Sequence, residues 1–134
     1  MTNEVLIQEA KKAREKSYSP YSHFQVGAAL LGKSGRVYYG CNIENAAYSP
    51  TNCAERTAFF KAVSEGEREF LKIAIVGGVE GNEPDELCAP CGVCRQVMNE
   101  FCDRKNFEII LMDGPDKLKV LTLEELLPYG FSLD

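Results

Sequence analysis

The sequence lacks long apolar runs, an N-terminal export signal and any excess of positive charge. None of its 134 residues falls in a run approaching the roughly 20 apolar residues that cross a bilayer, which excludes a membrane-spanning helix. The start, Met1 to Glu4, has neither a basic nor an apolar segment, so no signal peptide is expected. With 15 Lys and Arg against 20 Asp and Glu, the net charge of −5 disfavours polynucleotide binding. We therefore expect a cytoplasmic protein.

Histidine is nearly absent, whereas cysteine is frequent. The chain has one histidine, His23, and six cysteines. His23 stands alone in a predicted loop, so we expect it not to bind metal. Without an export signal a disulfide framework is not expected, and metal binding or catalysis explains the cysteines better. Two of them, Cys41 and Cys102, are interpreted as small hydrophobic residues.

Two segments contain three of the remaining cysteines and a glutamate. They are Cys53-Ala54-Glu55 and Pro90-Cys91-Gly92-Val93-Cys94. Three thiolates can hold a zinc ion and leave its fourth position for water, which is typical of catalytic zinc. A glutamate two residues after the first ligand, followed by Pro-Cys-x-x-Cys, is the spacing of zinc deaminases. The sequence therefore predicts Zn²⁺ on the three cysteines, with Glu55 as the proton carrier.

Two questions about this predicted site stay open. Cys88 lies three residues before Cys91, so a closed, non-catalytic zinc module with four cysteine ligands is an alternative, although it leaves Glu55 without a role. Three thiolates also give a zinc site net negative charge. Arg56 and Arg95 each directly follow a site residue, and either guanidinium could donate to sulfur and offset that charge.

Hydrophobic periodicity and turn residues predict the element order αββαβαβ(β)α. We expect one domain over residues 1–134, a three-layer α/β/α sandwich with a mixed central sheet. The predicted elements are a helix over 3–16, a hairpin of strands 26–31 and 36–41, a helix capped by Thr51 or Asn52 and running to about 65, a strand over 72–76, a loop over 77–89, a helix starting at Pro90 and running to about 102, strands over 107–112 and 118–121, and a short helix that begins with a Thr122–Glu125 capping box and ends at Pro128.

A series of short motifs in a fixed order covers nearly the whole chain. They are Tyr18-Ser19-Pro20-Tyr21-Ser22, Phe24, Val26-Gly27-Ala28-Ala29-Leu30, Gly40-Cys41-Asn42-Ile43-Glu44-Asn45-Ala46, Asn52-Cys53-Ala54-Glu55-Arg56-Thr57-Ala58, Pro90-Cys91-Gly92-Val93-Cys94-Arg95-Gln96 and Leu126-Leu127-Pro128. With these motifs the chain resembles the cytidine deaminases, in particular the short class that acts on free nucleosides.

The resemblance implies a reaction and a role for each matching residue. The reaction would be hydrolytic removal of ammonia from cytidine or deoxycytidine, giving uridine or deoxyuridine in pyrimidine salvage. Zinc would bind Cys53, Cys91 and Cys94, Glu55 would carry protons, and Arg56 would neutralise the thiolates. The substrate residues would be Phe24 stacking on the base, Asn42 and Glu44 at the ribose hydroxyls, Ala46 lining the pocket, and Tyr48 and Phe131.

The resemblance also implies a homotetramer in which Tyr48 and Phe131 complete the active sites of neighbouring subunits. Adjacent aromatics in a helix point about 100° apart, so of Phe59 and Phe60 one can pack on the sheet and the other can face a partner. Tyr129 and Phe131 follow Pro128 with little chain left to cover them, as expected of an interface.

Two departures and two further alternatives complete the interpretation. The loop over 79–89 is longer and more acidic than is usual in the family, and Phe131 lies in a variable tail. One alternative is a deaminase of another small cytosine nucleoside, which Asn42 and Glu44 disfavour because they suit the natural sugar. The other, a polynucleotide-editing deaminase, is disfavoured by the acidic charge and the short chain.

Overall fold

The computed structural model describes residues 1–133 and contains four helices and five strands. The elements are α1 (Asn3–Arg14), β1 (Phe24–Gly32), β2 (Val37–Cys41), α2 (Ala54–Ser64), β3 (Phe70–Val79), α3 (Gly92–Phe101), β4 (Glu108–Met112), β5 (Leu118–Thr122) and α4 (Leu123–Leu126). The strands form one sheet in the order β2-β1-β3-β4-β5. All neighbours pair antiparallel except β3 and β4, which are parallel, so the sheet is mixed.

The three central strands are buried on both faces, and successive side chains alternate between two cores. On one face, Leu30, Ile75 and Leu111 pack in a cluster with residues of α2, α3 and α4. On the other face, Ala29 and Ala74 pack in a cluster with residues of α1. The helices therefore form a layer on each side of the sheet, and the predicted three-layer α/β/α architecture is confirmed.

Two glycines on neighbouring strands bring the helix layers close to the sheet. A Cβ on Gly27 would lie 2.2 Å from the carbonyl oxygen of Ala10 in α1. A Cβ on Gly40 would lie 2.2 Å from the carbonyl oxygen of Ala54 in α2. Because Ala54 stands between Cys53 and Glu55, the missing side chain of Gly40 determines how close the start of α2 lies to the sheet.

The predicted element order, the β1–β2 hairpin and the Thr122–Glu125 capping box are confirmed. Several predicted boundaries differ from the structure by two or three residues, and two of them bear on the site. β3 continues to Val79 rather than ending at 76, because its pairing with β1 extends through the glycine pair 77–78. α3 begins at Gly92 with Cys91 as its N-cap, so Pro90 precedes the helix instead of opening it.

The predicted cap of α2 is also wrong. Cys53 occupies the N-cap position with an extended backbone, and its side chain makes no capping bond. Asn52 cannot take that position because it exchanges two backbone hydrogen bonds of 2.9 Å with Ile43, as a strand residue does. The thiol of Cys53 is thereby free for other contacts.

The two adjacent phenylalanines of α2 have different environments, as predicted. Phe59 is fully buried and packs its ring against those of Phe70, Phe101 and Phe107, with centroids 5.1 to 6.4 Å away. Phe60 is 49% exposed on the outer side of the helix.

Within residues 1–133 no helix combines the length and the apolar character that a membrane crossing needs.

Candidate active site

Three cysteine sulfurs from two helix starts come together at one end of the helical layer. Cys53 and Cys91 are the N-caps of α2 and α3, and Cys94 lies in the first turn of α3. The Sγ atoms of Cys91 and Cys94 are 3.4 Å apart, those of Cys53 and Cys91 are 3.8 Å apart, and all three lie within 4.8 Å of one another. Sulfurs bound tetrahedrally to one zinc ion at about 2.3 Å would be about 3.8 Å apart, so this donor set fits zinc.

Cys88 lies outside the three-sulfur group. Its sulfur packs against β3, where a Cβ on Gly77 would lie 2.7 Å away. Burial raises the pKa of the Cys88 thiol to about 12, which keeps it protonated. The group that could hold a metal within residues 1–133 contains Cys53, Cys91 and Cys94 without Cys88, so the closed four-cysteine alternative finds no support in the geometry.

Arg56 lies beside the thiol that ionises most readily. Its Nη2 donates to Cys53 Sγ at 3.2 Å. The pKa of Cys53 is lowered to about 5, first by the hydrogen bond that the Cys94 thiol donates to it and then by Arg56. The same hydrogen bond, together with burial, raises the pKa of Cys94. Cys53 is therefore the thiol of the group that ionises first, and the Arg56 guanidinium lies next to it.

Arg95 makes different contacts from those predicted. Its Nε donates to the carbonyl oxygen of Pro90 at 2.8 Å, and its Nη1 donates to the carbonyl oxygen of Leu126 at 2.7 Å. Carbonyl oxygens, rather than thiolate sulfurs, are thus its hydrogen-bond partners. Arg95 ties the start of α3 to the C-terminal end of α4, which places it beside the site as a structural support.

Glu55 is a buried carboxyl next to the sulfurs. It lies in the first turn of α2 and is only 5% exposed. Burial, followed by the charge on Cys53, raises the pKa of Glu55 to about 7, although its own backbone N–H, the charge of Arg56 and the Cys94 thiol oppose that rise. A carboxyl group with a pKa near neutrality can both accept and release a proton in that pH range.

Asn42 and Glu44 flank Ile43, which forms short bridges with Tyr18 and Asn52. In an extended segment, side chains two positions apart project to the same face, which is why the sequence predicts that those at positions 42 and 44 act together. Asn42 Oδ1 accepts from the backbone N–H of Val26 at 2.9 Å, and Nδ2 donates to the carbonyl oxygen of Phe24 at 2.8 Å. One lone pair and one hydrogen of the amide remain for a ligand.

The Glu44 carboxylate is held by the segment at positions 21–22. Its Oε1 accepts from the backbone N–H groups of Tyr21 at 3.0 Å and Ser22 at 3.2 Å, and its Oε2 accepts from the Ser22 hydroxyl. The Ser22 hydroxyl, with these N–H groups, lowers the pKa of Glu44. Glu44 lines a cavity of about 260 Å³, whose other lining residues are Tyr21, Ser22, Asn45, Tyr48 and Thr51.

The remaining predicted substrate residues differ in position. Phe24 is half-buried, and a Cβ on Gly77 would lie 3.0 Å from its ring. Ala46 is exposed on the loop after β2. Tyr48 is 76% exposed with a positive φ of 63°, and Phe131 is 66% exposed, so neither side chain is covered by its own chain.

The sequence did not predict the hydrogen bond between Ser22 and Glu44. The two residues are 22 positions apart, and neither residue type indicates such a contact.

Comparison with protein families and known proteins agrees with this geometry. Residues 1–109 match the family model described as the cytidine and deoxycytidylate deaminase zinc-binding region. A cytidine deaminase of Sporosarcina psychrophila is 53% identical over 132 residues, which are 98% of this chain and 93% of that protein. A cytidine deaminase of Halalkalibacterium halodurans is 49% identical over 134 residues, covering 100% of this chain and 97% of that protein.

Solved structures with the same fold carry the same description. The crystal structure of cytidine deaminase from Burkholderia pseudomallei superposes with a TM-score of 0.87 at 47% identity, covering 98% of this chain and all of that one. That of cytidine deaminase from Mycobacterium tuberculosis gives a TM-score of 0.80 at 37% identity over 99% of both chains. The likeness spans the helical layers, the sheet and both cysteine segments.

Proposed function

The chain belongs to the cytidine and deoxycytidylate deaminase family, and on this basis we propose that it converts cytidine and deoxycytidine to uridine and deoxyuridine by hydrolysis. In this reaction water adds at C4 of the cytosine ring, the C4–N bond breaks, and ammonia leaves. The observation that carries the proposal is the buried carboxyl of Glu55 beside three clustered cysteine sulfurs.

Cys53, Cys91 and Cys94 would hold one Zn²⁺ per chain. Thiolates are soft ligands that suit zinc, and the spacing of the three sulfurs matches tetrahedral coordination. When bound, the ion would supply Lewis acidity that lowers the pKa of a water molecule to about 7. Arg56 would offset the negative charge of the thiolates through its contact with Cys53.

Glu55 would move the protons of the reaction. Its carboxylate would accept a proton from the attacking water, transfer it to N3 of the ring, and later help to protonate the departing amino group. Burial excludes bulk water from this carboxyl, so a proton that it accepts stays within the site. General acid–base transfer by one positioned group typically contributes about 10²- to 10⁴-fold to the rate.

Phe24, Asn42, Glu44 and Ala46 would bind the nucleoside. The Phe24 ring offers a flat apolar surface to the base, whereas Asn42 and Glu44 keep free hydrogen-bonding positions for the sugar hydroxyls. A site built to bond a hydroxyl rejects analogues that lack it, because its buried polar groups then remain unpaired. This favours the natural nucleosides over another small cytosine compound.

The working enzyme would be a cytoplasmic homotetramer that serves pyrimidine salvage. Tyr48 and Phe131, exposed in the single chain, would each complete the site of a neighbouring subunit. All six cysteines are free thiols, and a site that needs thiolates favours a reducing compartment. We propose a nucleoside as its small-molecule partner, and no nucleic acid or membrane.

The direct test is an ultraviolet assay of the purified, zinc-loaded protein with cytidine, together with measurement of released ammonia. We expect one ammonia and one uridine for each cytidine consumed, and poor turnover of free cytosine, which lacks the sugar. Glu44→Ala should raise the KM for cytidine strongly. No uridine from wild-type protein would refute the proposed function, and equal efficiency on cytosine and cytidine would refute the role of Glu44.

A further inference from the structure

One hydroxyl joins the segment proposed for the sugar to the segment proposed for the base. The Ser22 hydroxyl donates to Glu44 Oε2 and accepts from the backbone N–H of Phe24 at 3.1 Å. The backbone N–H of Ser22 donates to the other carboxylate oxygen, Oε1, at 3.2 Å. Ser22 thus connects Glu44 to Phe24 through a single side chain.

The chain itself occupies most of the acceptor positions of Glu44. A carboxylate offers about four lone-pair positions. Oε1 accepts from the two backbone N–H groups of Tyr21 and Ser22, and Oε2 accepts from the Ser22 hydroxyl. About one position remains, and it lies on Oε2. A sugar hydroxyl that binds Glu44 must therefore share the oxygen that Ser22 orients.

We propose that Ser22 is a positioning residue for substrate selection, which orients Glu44 so that Oε2 keeps one acceptor position for a sugar hydroxyl. The same hydroxyl fixes the backbone of Phe24, so the base and sugar contacts keep a constant separation. This inference rests on the proposed function of the site. Ser22 acts through Glu44, whose pKa it lowers, so the carboxylate stays an acceptor for the hydroxyl.

The chain contains a matched control at the β1–β2 turn. There the Ser34 hydroxyl donates to the carboxylate of Glu67 and accepts from the backbone N–H of Arg36, two residues later. Ser22 makes the same two contacts with Glu44 and with the residue two positions later. Ser34→Ala therefore removes the same kind of hydrogen bonds at the opposite end of the hairpin, away from the proposed pocket.

The experiment compares wild-type protein with Ser22→Ala, Ser22→Thr and Ser34→Ala, each loaded with zinc, on cytidine and on 2′,3′-dideoxycytidine. Ser22→Ala should raise the KM for cytidine about tenfold, the lower range for losing one hydrogen bond to a charged group, with kcat little changed. Its KM for the dideoxy nucleoside should rise far less, because that ligand has no 2′ or 3′ hydroxyl to bind Glu44 and is affected only through the backbone of Phe24. Ser22→Thr keeps the hydroxyl and should restore the KM for cytidine, and Ser34→Ala should match wild type on both.

Several outcomes would overturn the inference. An unchanged KM for cytidine in Ser22→Ala would refute the role of Ser22. An equal loss of kcat/KM on both nucleosides would also refute it, because such a loss indicates general disorder of the pocket. If Ser22→Ala does not fold, Ser22→Cys keeps the volume with a weaker donor and should show the same selective rise on cytidine. Wild-type protein that forms no uridine would refute the proposed function and this inference together, whereas the variant results test Ser22 alone.

Discussion

Arg56 Nη2 donates to Cys53 Sγ at 3.2 Å, across one turn at the start of α2. The two residues are three positions apart in one helix start, so the helix itself brings their side chains close together. A charge partner for the metal-binding sulfurs is thus built into the same short segment as the first of those sulfurs.

Arg56 and Arg95 give a matched pair of substitutions. Arg56→Gln should weaken zinc affinity about tenfold or more, because a group that orients a metal ligand typically contributes that much. Arg95→Gln should leave zinc affinity unchanged and lower the free energy of unfolding by about 1–3 kcal/mol, since two carbonyl oxygens lose their donor. Competition with a chelating dye and urea unfolding measure the two effects. Equal zinc affinity in both variants would contradict the assignment to Arg56.

The three-cysteine site predicts how zinc content responds to single substitutions. Wild-type protein should contain about one zinc per chain, by the ligand count of such sites. Cys91→Ala removes one of the three sulfurs of the group and should abolish zinc binding, whereas Cys88→Ala should retain the metal. Atomic emission spectrometry on the purified variants gives the ratio of zinc to protein chain. Zinc loss in Cys88→Ala would restore the closed four-cysteine alternative and remove the catalytic interpretation.

Glu55→Gln keeps the shape of the buried side chain and removes its titration. We expect intact fold and zinc content with a kcat at least about 100-fold lower, the lower range for a general acid–base group. Glu65→Gln, at the other end of α2 and paired with Arg36 on the surface, is the control and should turn over at the wild-type rate. Steady-state assays at saturating cytidine decide the matter, and near wild-type turnover in Glu55→Gln would place the proton carrier elsewhere.

Gly40→Ala tests the close approach of α2 to the sheet. The new Cβ would lie 2.2 Å from the Ala54 carbonyl oxygen, so the helix start must move. We expect the free energy of unfolding to fall by about 2–3 kcal/mol, as for overpacked cores, together with weaker zinc binding. Gly92→Ala has open space around its Cβ and should cost no stability. Equal unfolding midpoints for the two variants would show that the contact relaxes at no cost.

Shared active sites predict complementation between inactive variants. Sedimentation at micromolar concentration should give about four times the chain mass of 14.9 kDa. Phe131→Ala and Glu55→Gln should each be impaired alone. Refolded together, they should recover activity, because some sites then combine Glu55 of one chain with Phe131 of another. A fully active monomer, or a mixture no better than its parts, would refute the proposed roles of Tyr48 and Phe131.

Features set by local sequence were predictable. The element order, the Thr122–Glu125 capping box and the opposite environments of Phe59 and Phe60 follow from periodicity and spacing within single segments. The three-sulfur group was also predictable, since Cys91 and Cys94 are one turn apart and the motif includes Cys53.

Features set by tertiary contacts were not predictable. Asn52 looked like a helix cap, but its backbone is engaged by Ile43, nine residues earlier. The glycine pair 77–78 looked like a loop, yet β1 continues to pair with it and the Arg14 guanidinium donates to the Gly78 carbonyl. Arg95 looked like a partner of sulfur, but a carbonyl 31 residues away accepts its hydrogen bond.

The origin of the three sulfurs in two helix starts implies an order of events when the protein is made. Cys91 and Cys94 are close in the unfolded chain, whereas Cys53 is 38 positions before Cys91 and is separated from it by α2 and β3, so we expect it to reach them only once those elements are packed. The ion therefore completes its coordination late, and its binding free energy adds to that of the last packing step. In a cell starved of zinc, such a protein should be lost mainly by degradation of newly made chains, so its abundance would fall before the activity of the surviving molecules.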